Sequence, residues 1–456
     1  MLAALLLAAP LALANGQTSH QWITIEALGE LDDGPLAEFL ARDDLRDALL
    51  NGTMFPDGGY AVGDGYGETA HWEPMQDLYL RWIRQNCAVP WTDSCSQQVA
   101  FLLGMRSHGM ADQFYDAVYM EHSRDADASA GWGAGDSMDE ATDVGMVAEV
   151  GPAVVPPPFV PYDPLLGLLA DAGNPVDAGT LDDAQGLLGL AIWYVGAAGV
   201  NPEAVARYEA QFPWACTHQV DPATAGNPPH EAQIVAAYWE LTWARLTAAQ
   251  DDTPQAVLAT YPDRESGGYS RAPAGHAFPL DDVRARVQVV FARGLDPDTV
   301  TTSSVQVRRH DDGSEVPVGV NVFYGRASHV VNIAPVAPWD VATAYDVTLD
   351  ATIRSWDGVE MAAADRFTFT TAPRPAEEAA ADTGALAEAS GCACAHGPTG
   401  DGGASGRAGV WAGALGLLGA LRARRRRTGV QGARPPGGAL RGETPPQNST
   451  QQGTPS

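Results

Sequence analysis

Residues 97–122 read QQVAFLLGMRSHGMADQFYDAVYMEH, and how this stretch folds decides the reading of the first half of the chain. Phe101, Leu102, Met105 and Met110 recur at helical spacing, so the stretch is expected to be one packed helix. His108, Asp112 and Asp116 follow at intervals of four, which stacks them on a single face. A polar stripe on a packed helix must meet water or be paired. Taken alone it reads first as a solvated face, and second as a row of metal ligands.

Working outward, the texture is helical from His20 to about Gln250. Apolar residues recur at helical spacing in PLAEFLARDDLRDALL (35–50), MQDLYLRWIRQN (75–86), AQGLLGLAIWYVGAA (184–198) and EAQIVAAYWELTWARL (231–246), parted by loops rich in Gly, Pro and Asp. An all-α domain over 15–252 is expected, then a linker over 253–271. From there the texture changes to short β-branched and aromatic runs: VQVVF (287–291), SSVQVRR (303–309), VGVNVFY (318–324), HVVNIAP (329–335), AYDVTL (344–349) and RFTFTT (366–371). Many alternate and are separated by turn residues, which predicts a β-sandwich over 272–372. The fold class is thus multidomain, an all-α bundle followed by an Ig-like β-sandwich.

The ends carry their own signals. Residues 1–14, MLAALLLAAPLALA, form a short apolar run closing on an A-x-A pattern, and read as a secretory signal peptide cut before Asn15, or as an apolar element of the domain itself. An Ala/Glu/Pro linker occupies 373–391. Over 392–427, Cys392 and Cys394 precede the apolar run Ala408–Leu421 and an arginine cluster, the order of a short transmembrane helix with positive residues after it. Residues 428–456 read as a disordered tail. Cys87 and Cys95, in NCAVPWTDSC, are a disulfide candidate in an exported protein.

The formal charge is −30, the chain has no lysine, and residues 1–400 hold 19 basic against 55 acidic groups. Such a field attracts cations and repels polyanions, so no general nucleic-acid binding is expected. No G-x-S-x-G elbow occurs, which argues against a serine esterase.

Three further phrases accompany the stripe. SHQWITIEAL (19–28) places His20 at the start of a helix, NGTMFPDGGY (51–60) places Asp57 in a turn after one, and TAHWEP (69–74) places His71 at the start of another. Together with QQVAFLLGMRSHGMAD (97–112) and DVGMVAE (143–149) these resemble the zinc-dependent phospholipase C family, in its glycosylphosphatidylinositol-specific phospholipase D-like branch. The resemblance is dense over about 18–150. It implies a helical bundle with a cleft for up to three zinc ions. One ion would take Asp57, His71, His108 and Asp112. Asp112 would bridge to a second, held also by His20 and the mature amino terminus. A third would take Asp116, Asp139 and Asp143, with Glu140 a possible substitute. Carboxylates alone suit Ca²⁺ or Mg²⁺ better than Zn²⁺, so that site is expected to hold another ion, bind weakly or stay empty. Asp57 is the candidate proton acceptor in catalysis.

The implied activity is hydrolysis of phospholipid or glycosylphosphoinositide phosphodiesters by a metal-activated water. The competing readings are an inactive surface-binding protein and a single-strand nuclease. The strand phrases, with LDPDTV (295–300) after an early strand and FTFTT (367–371) at the close, resemble the bacterial Ig-like module of surface proteins. The C-terminal segment resembles a myxobacterial-type sorting tag. Export to the cell envelope, outer surface or medium, and contact with a membrane surface through the tag, follow from these resemblances. The sequence carries no statement on oligomeric state.

Overall fold

Two helices cross at the centre of the molecule with their backbones in contact. On the helix Arg46–Val62, a Cβ added to Gly52 would stand 2.1 Å from the Phe101 carbonyl oxygen. On the helix Asp93–Phe114, a Cβ at Gly104 would stand 2.1 Å from the Leu49 carbonyl oxygen. Only hydrogen fits at either position, so these two glycines set the closeness of the crossing. This is a computed structural model; it describes residues 15–130, 138–221, 224–251, 253–262, 286–325 and 327–371. The expected signal segment 1–14, the linker 373–391, the tag with its apolar run and the tail 428–456 lie outside the described residues. Among the described residues no helix is long and apolar enough to cross a membrane.

The helix Asp93–Phe114 begins where the Thr92 hydroxyl accepts from the Cys95 amide, and the disulfide Cys87–Cys95, with Cα atoms 5.7 Å apart, closes the preceding loop. Phe101, Leu102, Leu103 and Met105 are fully buried, and so is the polar stripe: this helix runs through the middle of the body, which overturns the solvated-face reading. At Tyr115 the helix widens into a π turn, Tyr115–Tyr119. Around it pack the helices Gln17–Gly29, Arg46–Val62, Glu73–Asn86 and Pro228–Thr247, while Met138–Val150 packs on Gln17–Gly29.

Two placements differ from expectation. Asp57 lies inside the helix Arg46–Val62, not in a turn after it. Pro56 removes one amide donor from that helix, yet the helix continues and ends only at Gly63 with φ 69°. His71 is the last residue of the short helix Tyr66–His71 rather than the start of the next; extended Trp72 separates the two.

Seven strands follow among the described residues. β1 (Val257–Tyr261), β2 (Val287–Phe291), β5 (Val330–Pro335) and β4 (Val318–Val322) form one antiparallel sheet in that order. β3 (Val305–Arg309), β6 (Ala344–Leu349) and β7 (Asp365–Thr370) form the other. β3 and β6 alternate buried and more open positions, as a one-sided strand must. β1 and β2 are buried at every residue because the helical body covers their second face, the Gln288 amide donating to the Ala117 carbonyl. The sandwich therefore starts earlier than position 272. β1 falls within the segment 253–271 expected as a linker, where VLATY is too short and too uniformly apolar to betray a strand by alternation.

Candidate metal centre

The glycine crossing carries His108 to the opposite helix, where its Nδ1 lies 2.7 Å from the Thr53 carbonyl oxygen. A carbonyl only accepts, so Nδ1 carries the proton and Nε2 points inward bare. His71 is fixed in the same way, its Nδ1 2.6 Å from the Gly67 carbonyl oxygen. The two inward Nε2 atoms stand 2.9 Å apart. Asp112 Oδ2 is 3.2 Å from His108 Nε2 and 3.4 Å from His71 Nε2; Asp57 Oδ1 is 3.7 Å and 3.5 Å from the same atoms. Four electron-pair donors thus converge, and the two imidazole protons that could relieve them are committed elsewhere.

A cation fits this set. Zinc ligands at about 2.0–2.1 Å in a tetrahedron lie roughly 3.3 Å from one another, and the separations here scatter about that value. Asp57 Oδ1 is buried without a hydrogen bond, while Gln17 Nε2 donates to its other oxygen and orients the carboxylate.

His20 stacks on His108 with ring centroids 3.8 Å apart, and its Nε2 is 3.0 Å from Asp112 Oδ1. Neither nitrogen of this buried ring makes a hydrogen bond. The Asn15 backbone nitrogen reaches the same Asp112 oxygen at 3.2 Å. Asp112 therefore faces two ways, one oxygen toward His71 and His108, the other toward His20 and Asn15. Among the described residues, His20–Asp57–His108 and His71–His108–Asp112 are the groups whose ligand atoms gather closely enough to hold an ion.

The electrostatics ask for positive charge. Burial alone would lower His71, but the carboxylates of Asp112 and Asp57 outweigh it and push the imidazole up to about 10. The charge that would bind a cation thus equally favours a second proton on Nε2, for which a cation must compete. Burial, with His20 close by, holds His108 down. Asp112 is held well below the usual carboxylate range, burial being overcome by His108 and His20.

The three remaining acidic candidates do not meet as a ligand group. Asp143 caps the first helix, accepting from the Thr18 and Ser19 amides at 3.0 and 2.7 Å. Asp116 falls on the π turn, and its Oδ2 accepts from the Tyr324 hydroxyl. Burial, and then Asp116, Asp112 and their neighbours, push Asp139 well up. Its neighbour Glu140 has a half-open side chain.

Sequence reading missed two residues. Glu231 is fully buried and accepts from Asn15 Nδ2 at 2.7 Å; in a first helical turn its carboxylate reads only as a dipole partner. Tyr324 comes from the sandwich, and nothing in VNVFYG places it over a distant helix.

Fold and site define a multidomain chain in which a helical body with a buried histidine–aspartate centre joins a two-sheet sandwich. Residues 251–371 match the bacterial Ig-like domain family. Part of the chain is similar to the phosphatidylinositol-glycan-specific phospholipase D of Rattus norvegicus, 32% identical over 114 residues, and of Bos taurus, 33% over 99 residues. These stretches cover 23% and 20% of this chain and 14% and 12% of those proteins, so the chain spans a small part of their length. Among solved structures, the surface-layer protein SbsC aligns over 70% of this chain and 46% of its own at 11% identity, with a TM-score of 0.21, too low to carry an argument.

Proposed function

We propose that the helical body is a zinc-dependent phosphodiesterase that hydrolyses phospholipid or glycosylphosphoinositide head groups. The observation that carries this reading is the convergence of His71 Nε2, His108 Nε2, Asp57 Oδ1 and Asp112 Oδ2, with both Nδ1 protons held by carbonyls. The partial likeness to phosphatidylinositol-glycan-specific phospholipase D supports the choice of substrate class. Asp57, His71, His108 and Asp112 would hold one ion; Asp112, His20 and, once cleavage before Asn15 frees its amine, the Asn15 nitrogen a second. When bound, such ions neutralise the phosphate and bring the pKa of water from about 15.7 toward about 7.

The chain's own residues do the rest. Thr53 and Gly67 fix the imidazole tautomers, Gln17 orients Asp57, and Asp143 anchors the helix that carries His20. If only loosely held by that ion, Asp57 would accept the proton of the attacking water. Export to the cell surface accords with the Ig-like domain and with a disulfide, which persists in oxidising compartments.

The test is hydrolysis of short-chain phospholipids by the zinc-loaded full chain, beside His108→Ala and an oligonucleotide control. Phospholipid turnover lost in the variant is expected. Equal rates in both proteins would refute the reading, as would cleavage of the oligonucleotide alone.

A further inference from the structure

We propose that the Ig-like domain completes the active site, with Tyr324 on the turn between β4 and β5 acting as a positioning residue for the substrate head group. This rests on the phosphodiesterase reading and extends it across the domain boundary.

Tyr324 has φ 59°, a left-handed conformation that a bulky residue rarely adopts. From there its hydroxyl donates to Asp116 Oδ2, four residues past Asp112 on the helix that supplies His108. The other Asp116 oxygen is buried with no hydrogen bond. The Tyr324 ring meets Trp72 edge-on, centroids 5.7 Å apart, and remains 56% exposed. Trp72 adjoins His71 in sequence and donates to Glu68; Tyr60 donates to the same carboxylate and packs 5.0 Å from the His71 ring. Tyr60, Trp72 and Tyr324 thus form an aromatic rim beside the centre, and one of the three comes from the sandwich.

A role as domain glue alone fits poorly. The joint is already made by buried contacts, Gly294 N to Glu73, His329 N to Gln113 and Gln288 to Ala117. A half-open aromatic side chain on a strained backbone adds little to such a joint. It does offer an incoming molecule a ring face and a hydroxyl pre-set by Asp116, which is what holding a head group requires.

The experiment uses the zinc-loaded full chain as wild type, Tyr324→Phe and Tyr324→Ala. KM and kcat are measured on dihexanoyl phospholipids bearing choline, ethanolamine and inositol, with zinc content and melting temperature for each protein. The expected result is KM raised about tenfold by Tyr324→Ala and less by Tyr324→Phe, with kcat and zinc content little changed. Tyr324→Phe keeps the ring packing, so the test survives if the alanine variant does not fold. Wild-type KM in both variants would overturn the proposal. If the wild type turns over none of the three lipids, the phosphodiesterase reading falls, and binding of the matching non-hydrolysable phosphonates decides the role of Tyr324. Weaker binding by the variants sustains it; equal binding, or none by the wild type, overturns it.

Discussion

Gln17 makes one contact that matters to the centre, the hydrogen bond from its amide to Asp57. Removing such an outer partner typically lowers metal affinity about 10- to 100-fold, so Gln17→Ala is expected to give up zinc to a competing chelator at correspondingly lower concentration while His108→Ala fails to retain it. His329 offers a separate test by pH. Buried beside Tyr238, it donates from Nδ1 to the Phe291 carbonyl, and burial holds its imidazole down at about 4. A base whose folded pKa lies below its unfolded value of about 6.5 adds stability that is whole above that value and lost as pH falls toward the folded one. Between those two values the loss is about 3 kcal/mol. Urea unfolding of wild type and His329→Asn at neutral pH and near the lower bound should show a smaller acid loss in the variant; identical losses would clear His329 of that part. At this scale much of the centre was legible. His20, Asp57, His71, His108 and Asp112 carry chemistry in any context, and their phrases are specific. Thr53 and Gly67 act through carbonyls that every residue possesses, so no side chain announces them.

Among the elements, the crossing of Arg46–Val62 with Asp93–Phe114 places His108 against Thr53. Gly104→Ala would drive a methyl group into the Leu49 carbonyl. The expected cost is about 1–3 kcal/mol or more, read as a lower urea midpoint, with weakened zinc retention because the two backbones must part. Retention equal to wild type would show that the crossing does not set the site. The helices were readable from their apolar period, and β3 and β6 from alternation. Two features were not. The π turn at Tyr115 has no compositional mark, so Asp116 was placed in line with His108 and Asp112. The capping of the first helix by Asp143 joins residues far apart in the chain, a pairing that local pattern cannot show.

For the molecule as a whole, the decisive feature is a set of charges sealed where body and sandwich meet. Arg106, fully buried, pairs with Asp77 and donates to the Tyr238 hydroxyl at 2.8 Å. Arg245 lies 3.0 Å from Glu73 and 2.9 Å from Asp77, and Arg293 of the sandwich approaches Asp77 at 3.8 Å. Burial would raise Asp77, but Arg106 and Arg245 outweigh it and hold its carboxyl below the usual carboxylate range. Breaking such a network from one side strands a charge, so Asp77→Ala is expected to cost about 3–5 kcal/mol, measured by chemical denaturation of the full chain. Glu73 is also the acceptor for the Gly294 amide, so the sandwich satisfies a carboxylate that the helices bury. The two halves are consequently not interchangeable parts. A fragment ending near residue 251 would open the Glu73–Asp77 pocket to water and lay bare β1's former seat, and a different sandwich grafted there would need an arginine and a free amide at the same two points. Body and sandwich thus share one buried charge network, and neither half can be exchanged without stranding a charge in the other.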